Sequence, residues 1–178
     1  MPSVREIPDD VKWRLAARCA ASLPAIYDAA FRKSAGDEYD RCEQECWIAV
    51  SRLACDAVRD LALPVKNARE IATSLHTVMS VLFGPELKCE TLEVSDDGAV
   101  VLIKRCPFLT HGYTPGTPTE RFFPRCMALV LTTVPLLNST YGARFVRTMC
   151  MGDRHCEIKI EVGKPVAEKQ QAKNRKTE

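Results

Sequence analysis

The apolar residues change their spacing at Gly84-Pro85, and this change constrains the fold more than any other feature of the sequence. Before this point apolar residues recur at every third or fourth position, as on the buried face of a helix. After it they alternate with polar residues, as in strands that are buried on one side. Helices followed by strand pairs predict an α+β domain with an antiparallel sheet.

The N-terminal half is predicted to be helical. We expect three helices, at residues 9–34, 38–63 and 67–83. Pro24 is expected to kink or split the first of them, because proline lacks the N–H that a helix interior needs. Asn67, followed three residues later by Glu70, resembles a capping box and marks the start of the third helix.

The second half is predicted to consist of a hairpin, a helix and a second hairpin. The expected elements are strands at 87–95 and 99–106, a helix at 122–137, and strands at 140–150 and 155–162. Asp96-Asp97-Gly98 is typical of a tight hairpin turn. Residues 107–120 are rich in Gly, Thr and Pro and include His111 and Tyr113. This segment is long for a connection in a compact domain, so a lid or binding loop is expected.

Length and charge indicate one domain without a nucleic-acid partner. We assign residues 1–162 to a single domain and 163–178 to a basic tail that is expected to be flexible. The net charge is +2, and the tail carries five Lys or Arg against two Glu, which leaves the rest of the chain close to −1. Such a weak charge does not favour binding to nucleic acid.

The sequence predicts a cytoplasmic protein that does not enter the membrane. The N-terminus lacks the apolar segment of a signal peptide. The most apolar run, Met127–Leu137, is about half of the roughly 20 residues needed to cross a bilayer. In a reducing compartment, nine cysteines favour metal binding or catalysis over structural disulfides.

Four cysteines in the second half of the chain are the main candidates for a functional site. They are Cys106, Cys126, Cys150 and Cys156. A strand end, a helix start and two hairpin positions are predicted to bring these thiols to one point. Thiolates in that arrangement bind zinc or an iron–sulfur cluster such as [4Fe–4S], and no C-x-x-C motif distinguishes the two.

Two geometric expectations follow for these cysteines. Cys126 is expected in the first turn of a helix, where the positive end of the dipole lowers the pKa of a thiol. Cys150 and Cys156 are expected to flank a short hairpin loop and to pair across the ladder, with their α-carbons about 5–7 Å apart. The same four residues are alternatively interpreted as small, apolar core residues.

A metal-free hydrolase is the second functional hypothesis. In it Cys126 or Cys156 is the nucleophile, and His111 or His155 is the base. The substrate would be a small cyclic amidine or amide with a carboxylate. The arginines proposed to hold that carboxylate are Arg105, Arg125 and Arg144.

The third hypothesis is a non-catalytic module that binds a ligand or senses redox state. A homodimer formed through the helices is left open, and exposed tryptophans at Trp13 and Trp47 would support it. Cys42 and Cys46 lie four residues apart on one side of the second helix. That spacing suits either a pair of metal ligands or two packed thiols, and the packed interpretation is preferred.

Three motifs in the second half of the chain resemble those of the L-2-amino-thiazoline-4-carboxylic acid hydrolase family. They are Arg105-Cys106-Pro107, the isolated Cys126, and the stretch from Thr148 to Glu157 that contains Cys150, Gly152-Asp153 and Cys156. That family is similar to vinyl-reductase-type domains, whose fold is shared by ligand-binding domains of nitric-oxide sensing and Golgi transport. The resemblance implies a small-molecule ligand, recurring cysteines at Cys106, Cys126 and Cys156, and, from the family's frequency in anaerobes, an iron–sulfur cluster rather than zinc.

Overall fold

Five helices and four strands make up the part of the chain that the structure, a computed structural model, describes: residues 3–95, 97–112 and 118–163. The helices are α1 (Asp9–Ala35), α2 (Asp37–Asp60), α3 (Ala68–Phe83), α4 (Pro107–Gly112) and α5 (Phe123–Leu137). The strands are β1 (Lys88–Ser95), β2 (Gly98–Arg105), β3 (Tyr141–Arg147) and β4 (Cys156–Val162). The prediction of an α+β domain with an antiparallel sheet is confirmed.

The sheet joins the two hairpins side by side. Its strand order is β1-β2-β4-β3, and all neighbours are antiparallel. Between the hairpins, Val101 pairs with Ile158 and Ile103 pairs with Cys156. Because side chains alternate along a strand, these four share one face of the sheet. That face belongs to the same buried cluster as α3 and α5, so both helices cover it.

α1 and α2 pack outside the helices that cover the sheet. The Ser51 hydroxyl on α2 donates to the Leu129 carbonyl on α5 at 3.0 Å. The indole Nε1 of Trp13 on α1 donates to the Val81 carbonyl on α3 at 2.8 Å. Trp47 is only 7% exposed and packs edge-on against Phe108, with ring centroids 5.4 Å apart. Because α4 covers its ring, Trp47 does not provide the exposed surface that would have supported a homodimer formed through the helices.

Several boundaries differ from the predicted ones for local reasons. α1 continues through Pro24 without a break. α2 ends at Asp60 rather than at residue 63, because Ala62 turns the backbone to a φ of +49°. The segment predicted as a loop at 107–120 begins with α4, since Pro107 suits the first position of a helix. Tyr113 lies outside the described residues.

The hairpins also differ in detail from the prediction. Ser95 pairs with Gly98 across the first turn, as a two-residue turn requires, although Asp96 itself is outside the described residues. β3 ends at Arg147, before Cys150, which lies in a short 3₁₀ turn at Met149–Met151. The β3–β4 ladder ends with Arg147 paired to Glu157, so Cys150 lies beyond it and the predicted cross-strand pair of Cys150 and Cys156 is not formed. The predicted tail also falls outside the described residues after Gly163.

In residues 3–95, 97–112 and 118–163, none of the helices is both long enough and apolar enough to cross a bilayer.

Candidate functional site

Four different segments supply the cysteines that the sequence singled out. Cys106 follows the last residue of β2 and precedes α4. Cys126 lies in the first turn of α5, Cys150 in the 3₁₀ turn after β3, and Cys156 at the start of β4. Since β2 and β4 are neighbours in the sheet, the end of one and the start of the other lie side by side. The sheet therefore fixes Cys106 close to Cys156.

The structure brings all four thiols into one electrostatic neighbourhood. Cys106, Cys126 and Cys156 line the same small apolar cavity between α5 and the sheet. Besides burial, negative charge on Cys106, Cys150 or Cys156 raises the pKa of Cys126. Such mutual influence requires the four sulfurs to lie near one another. We call these four residues the thiol cluster.

The thiol cluster is arranged without a closed metal site. Among the residues that the structure describes, no three His, Cys, Asp or Glu side chains are placed so as to enclose a metal ion. Every thiol of the cluster has a pKa above its ordinary value, and in each case burial is the largest cause. For Cys156 the pKa is raised to about 11. At neutral pH the four side chains are thus protonated thiols in apolar surroundings.

Backbone amides oppose this effect at three of the four sulfurs. The Met149 N–H donates to Cys156 Sγ at 3.3 Å. At Cys106 the nearby amides of Leu109 and Phe108, in the first turn of α4, lower the pKa by less than burial raises it. At Cys150 the Thr148 side chain and the backbone amide of Cys150 itself lower the pKa of the thiol, again by less than burial raises it. Amide hydrogen bonds stabilise charge on sulfur, so they offset part of the effect of burial, although the pKa of each of these three thiols stays raised.

A tight turn holds Cys150 and Cys156 in place. Gly152 has a φ of +100°, which glycine adopts without strain, and it reverses the chain after Cys150. The Asp153 carboxylate accepts from the Thr148 amide at 2.8 Å. From the other side, the Thr119 hydroxyl donates to the Cys150 carbonyl at 2.9 Å. The turn is therefore fixed from both ends.

The lowered pKa expected for Cys126 is not found. Its pKa is raised well above the ordinary value because burial removes solvation from the thiolate and the other three cysteines repel its charge. The Arg125 guanidinium lowers the pKa by less than these effects raise it. The helix start alone is a weaker influence than the apolar contacts made by residues distant in sequence.

The two candidate histidines lie apart from any thiol contact. His111 Nε2 is 2.7 Å from Glu86 Oε2, and Arg105 Nη2 is 3.7 Å from the same oxygen. His155 lies in the turn before β4 and is partly exposed. Within the described ranges, neither imidazole forms a hydrogen bond with a cysteine. His111 is thus paired with a carboxylate, and among the residues that the structure describes no partner orients His155 as a base.

The three candidate arginines occupy different surroundings. Arg144 forms an exposed ion pair with Glu161 at 2.9 Å, and Arg105 lies near Glu86. Arg125 differs from the other two because it is buried, with only 1% of its surface exposed, and the sequence did not predict this burial. It directly precedes Cys126 on α5, within an otherwise apolar segment. No sequence pattern signals that its guanidinium points inward.

Arg125 is enclosed by acidic and aromatic side chains. Its Nε lies 2.7 Å from Glu43 Oε1 and its Nη2 lies 3.8 Å from Asp28 Oδ1. Its guanidinium carbon is 4.9 Å from the centre of the Phe122 ring. Within the described part of the chain, none of its nitrogens has a well-aligned hydrogen-bond acceptor, so the contact with Glu43 is an ion pair without ideal N–H direction.

Comparison with known proteins establishes the fold and nothing finer. No family model and no curated protein matches this sequence. Among solved structures, the chain is similar to trafficking protein particle complex subunit 3 from Naegleria fowleri covalently bound to palmitic acid. That match has a TM-score of 0.58 and 12% sequence identity, and it covers 88% of this chain and 98% of the other. The expected relation to a Golgi-transport fold is confirmed, and the match gives no support to the thiazoline hydrolase family.

Proposed function

We propose that this chain is a small-molecule-binding domain built around a metal centre that cysteines ligate. The ligands are Cys106, Cys126, Cys150 and Cys156, and the metal is an iron–sulfur cluster or zinc. The observation that carries this proposal is that Cys106, Cys126 and Cys156 line one small cavity. Cys150 lies near enough for charge on its sulfur to raise the pKa of Cys126. Four cysteines at one point are the donor set that both metals prefer.

The surroundings of the thiol cluster fit such a group. Amide hydrogen bonds reach the sulfurs of Cys106 and Cys156, and such bonds stabilise ligating thiolates. The cavity beside the sulfurs is lined by apolar side chains, including Leu129 and Phe145. These side chains limit the access of water to the sulfurs, and the positive charge of a bound metal would offset the cost that burial places on the thiolates.

When bound, zinc would supply a Lewis acid and a cluster would supply electron transfer. The chain's own contribution is to hold four sulfurs from separate segments and to keep the site dry. Small-molecule binding draws support from the neighbour of the same fold, which carries palmitic acid. That neighbour is also a subunit of a protein complex, so a protein partner for this chain is part of the proposal.

The experiment is purification without oxygen, followed by absorption spectroscopy and measurement of iron, sulfide and zinc per chain. A brown protein with iron and sulfide indicates a cluster, and a colourless one with a single equivalent of zinc indicates zinc. Cys106→Ser and Cys156→Ser are each expected to lose the metal. Cys89→Ser is the matched control, because Cys89 is also partly buried and has a raised pKa but is not in the thiol cluster.

Two results would overturn the proposal: protein without metal, or equal metal content in Cys156→Ser and Cys89→Ser. The metal-free hydrolase, acting on a cyclic amidine such as a thiazoline carboxylic acid, has less support. Its nucleophile, Cys126, has a raised pKa and so little thiolate at neutral pH. Thiazoline hydrolysis that survives chelation but is lost in Cys126→Ser would favour the hydrolase instead.

A further inference from the structure

A larger cavity lies among α1, α2 and α3. It is an open groove of about 530 Å³, within the range of roughly 300–1,000 Å³ that is typical of small-molecule sites. Phe83 lines both this groove and the small cavity beside the thiol cluster, so the two spaces share a wall. The other aromatic residues that line the groove are Tyr27, Phe31, Tyr39 and Trp47. We call this cavity the aromatic groove.

The charged groups at the aromatic groove are paired with one another. Glu43 is the only charged residue that lines the groove in the described part of the chain. Its Oε1 lies 2.7 Å from Arg125 Nε and accepts a hydrogen bond from the Tyr39 hydroxyl at 3.2 Å. Arg32 stacks on the Tyr39 ring and is paired with Asp28. The described walls therefore favour neither a cation nor an anion.

Aromatic side chains reach the aromatic groove from all three helices. Tyr27 and Phe31 lie on α1, and their ring centroids are 6.1 Å apart. Trp47 lies on α2 and Phe83 at the end of α3, with ring centroids 6.4 Å apart. A further aromatic ring that packs edge-on or offset against these rings is stabilised beyond the effect of area burial. A rigid ring therefore suits these walls better than a flexible chain, which also loses rotational freedom on binding.

We propose that the aromatic groove binds an uncharged aromatic compound. This inference rests on the function proposed above, because it names the class of small molecule that such a domain would bind and places it beside the thiol cluster. The ligand lies among the rings of α1 and α2, with Phe83 between it and the cavity that the cysteines line. An ionic group would lose hydration in the groove without gaining a partner, since the Glu43 carboxylate is already paired.

Three exposed cysteines report whether the aromatic groove is occupied. Cys42 and Cys46 line the groove, whereas Cys19, on α1, does not. The full-length chain, reduced and freed of metal, is treated with N-ethylmaleimide, and mass spectrometry follows the alkylation of each cysteine. Naphthalene is expected to slow the alkylation of Cys42 and Cys46 in a saturable manner and to leave that of Cys19 unchanged. The concentration dependence of this protection measures the affinity.

The ligand class is tested with three further probes. Naphthoate and naphthylmethylamine carry opposite charges on the same ring system. Each is expected to bind at least about tenfold more weakly than naphthalene, because neither charge finds a free partner in the groove. Octanol is similarly apolar but is a chain, so severalfold weaker binding is expected. Either ion or octanol binding as tightly as naphthalene would overturn the proposal, as would naphthalene giving no protection.

A variant pair tests the contribution of the rings. Phe31 is 55% exposed and lines the groove, so Phe31→Ala is expected to fold and to weaken naphthalene binding severalfold. Leu53→Ala is the matched control, because Leu53 is 62% exposed on α2 but does not line the groove. Equal affinities of the two variants would contradict binding among the rings.

Two further measurements separate this proposal from its alternatives. Alkylation of Cys42 and Cys46 that is slow in concentrated protein and accelerates on dilution would overturn the proposal, because a second copy would then cover the groove. Iron and zinc are measured before the metal is removed. Protein that contains metal but does not bind naphthalene contradicts the groove proposal alone, and protein that binds naphthalene but never contains metal contradicts the metal centre alone.

Discussion

At the scale of single residues, Arg125 departs most from what its residue type predicts. Arginine is rarely buried without a partner, and here Glu43 and Asp28 are drawn inward with it. Removing one member of a buried charge group leaves the others desolvated and unpaired, which costs about 3–5 kcal/mol. The stability of the helical layer therefore depends on this group.

We expect Arg125→Met to lower the free energy of unfolding by about 3 kcal/mol, measured by urea denaturation. The control is Arg144→Met, because Arg144 pairs with Glu161 on the exposed face of the sheet. An exposed pair contributes at most about 1 kcal/mol, so this variant is expected to change little. Equal losses in both variants would contradict a structural role for the buried charges.

The titration of Cys89 is a second prediction at this scale. Burial raises the pKa of this thiol to about 11, from an ordinary value of 9.0. The neutral thiol is favoured by folding, so its contribution is complete below pH 9 and is lost as the pH rises towards 11. Because Cys89 is only partly buried, the expected loss is about 1 kcal/mol after allowing for solvent screening.

The measurement compares unfolding of the wild-type protein and of Cys89→Ala, both reduced and with chelator, from pH 8 to about pH 11. The wild-type protein is expected to lose stability relative to the variant across this interval. The contributions of all other titrating groups to the pH dependence are the same in both proteins and cancel in the difference between their free energies of unfolding. A difference that stays constant with pH would show that the thiol titrates alike in folded and unfolded chains.

The sequence located the cysteines of the site more successfully than their chemistry. Cys106, Cys126 and Cys156 could be chosen because the strand pattern and turn predicted where each segment would end. The raised pKa of Cys126 could not be predicted, because it arises from the packing of α5 against β4 and the chain after β2. The sequence pattern indicates which cysteines can come together, whereas their protonation state depends on burial, which the sequence does not show.

At the scale of elements, the contact between α1 and the end of α3 fixes how the helices cross. Gly84 ends α3 with a φ of +86°, and a β-carbon placed there would lie 2.5 Å from the Ala17 β-carbon on α1. Gly36, between α1 and α2, has a φ of +57° but nothing within 4 Å of such a carbon. A substitution at Gly36 therefore tests backbone strain alone, whereas one at Gly84 tests strain together with a steric clash.

We expect Gly36→Ala to cost about 1–3 kcal/mol through backbone strain alone. Gly84→Ala is expected to cost about 1–3 kcal/mol more, since the new methyl group overlaps Ala17. Adding Ala17→Gly should remove most of that extra loss. Thermal denaturation of the four proteins measures these differences. A Gly84→Ala protein that is as stable as Gly36→Ala would show that α1 can move away without cost.

Elements with strong local signals were predicted more accurately than those set by tertiary contacts. The start of α3 was predicted from Asn67, whose side chain accepts from the Glu70 amide at 2.9 Å. By contrast, α4 was predicted as a loop, and the end of β3 was predicted three residues too late. α4 forms where Phe108 packs on Trp47 and Phe83, and β3 stops where the chain turns to bring Cys150 towards Cys156. Both depend on residues distant in sequence.

At the scale of the whole molecule, the thiol cluster lies between the sheet and two segments outside it. The sheet fixes Cys106 and Cys156, whereas Cys126 begins a helix and Cys150 lies in a turn outside the ladder. A metal bound to all four would tie the turn and the start of α5 to the sheet. Neither α1 nor α2 carries a member of the cluster.

This arrangement predicts which parts of the chain respond to metal removal. Amide hydrogen exchange, compared between metal-loaded and metal-free protein, is expected to accelerate severalfold at residues 106–112, 119–126 and 148–156. Exchange within α1 and α2 is expected to change less, because neither helix carries a cysteine of the thiol cluster. Exchange that accelerates equally in α1 would indicate that the metal stabilises the fold globally instead. Unchanged exchange at 148–156 would contradict ligation by Cys150 and Cys156, whatever metal the protein contains.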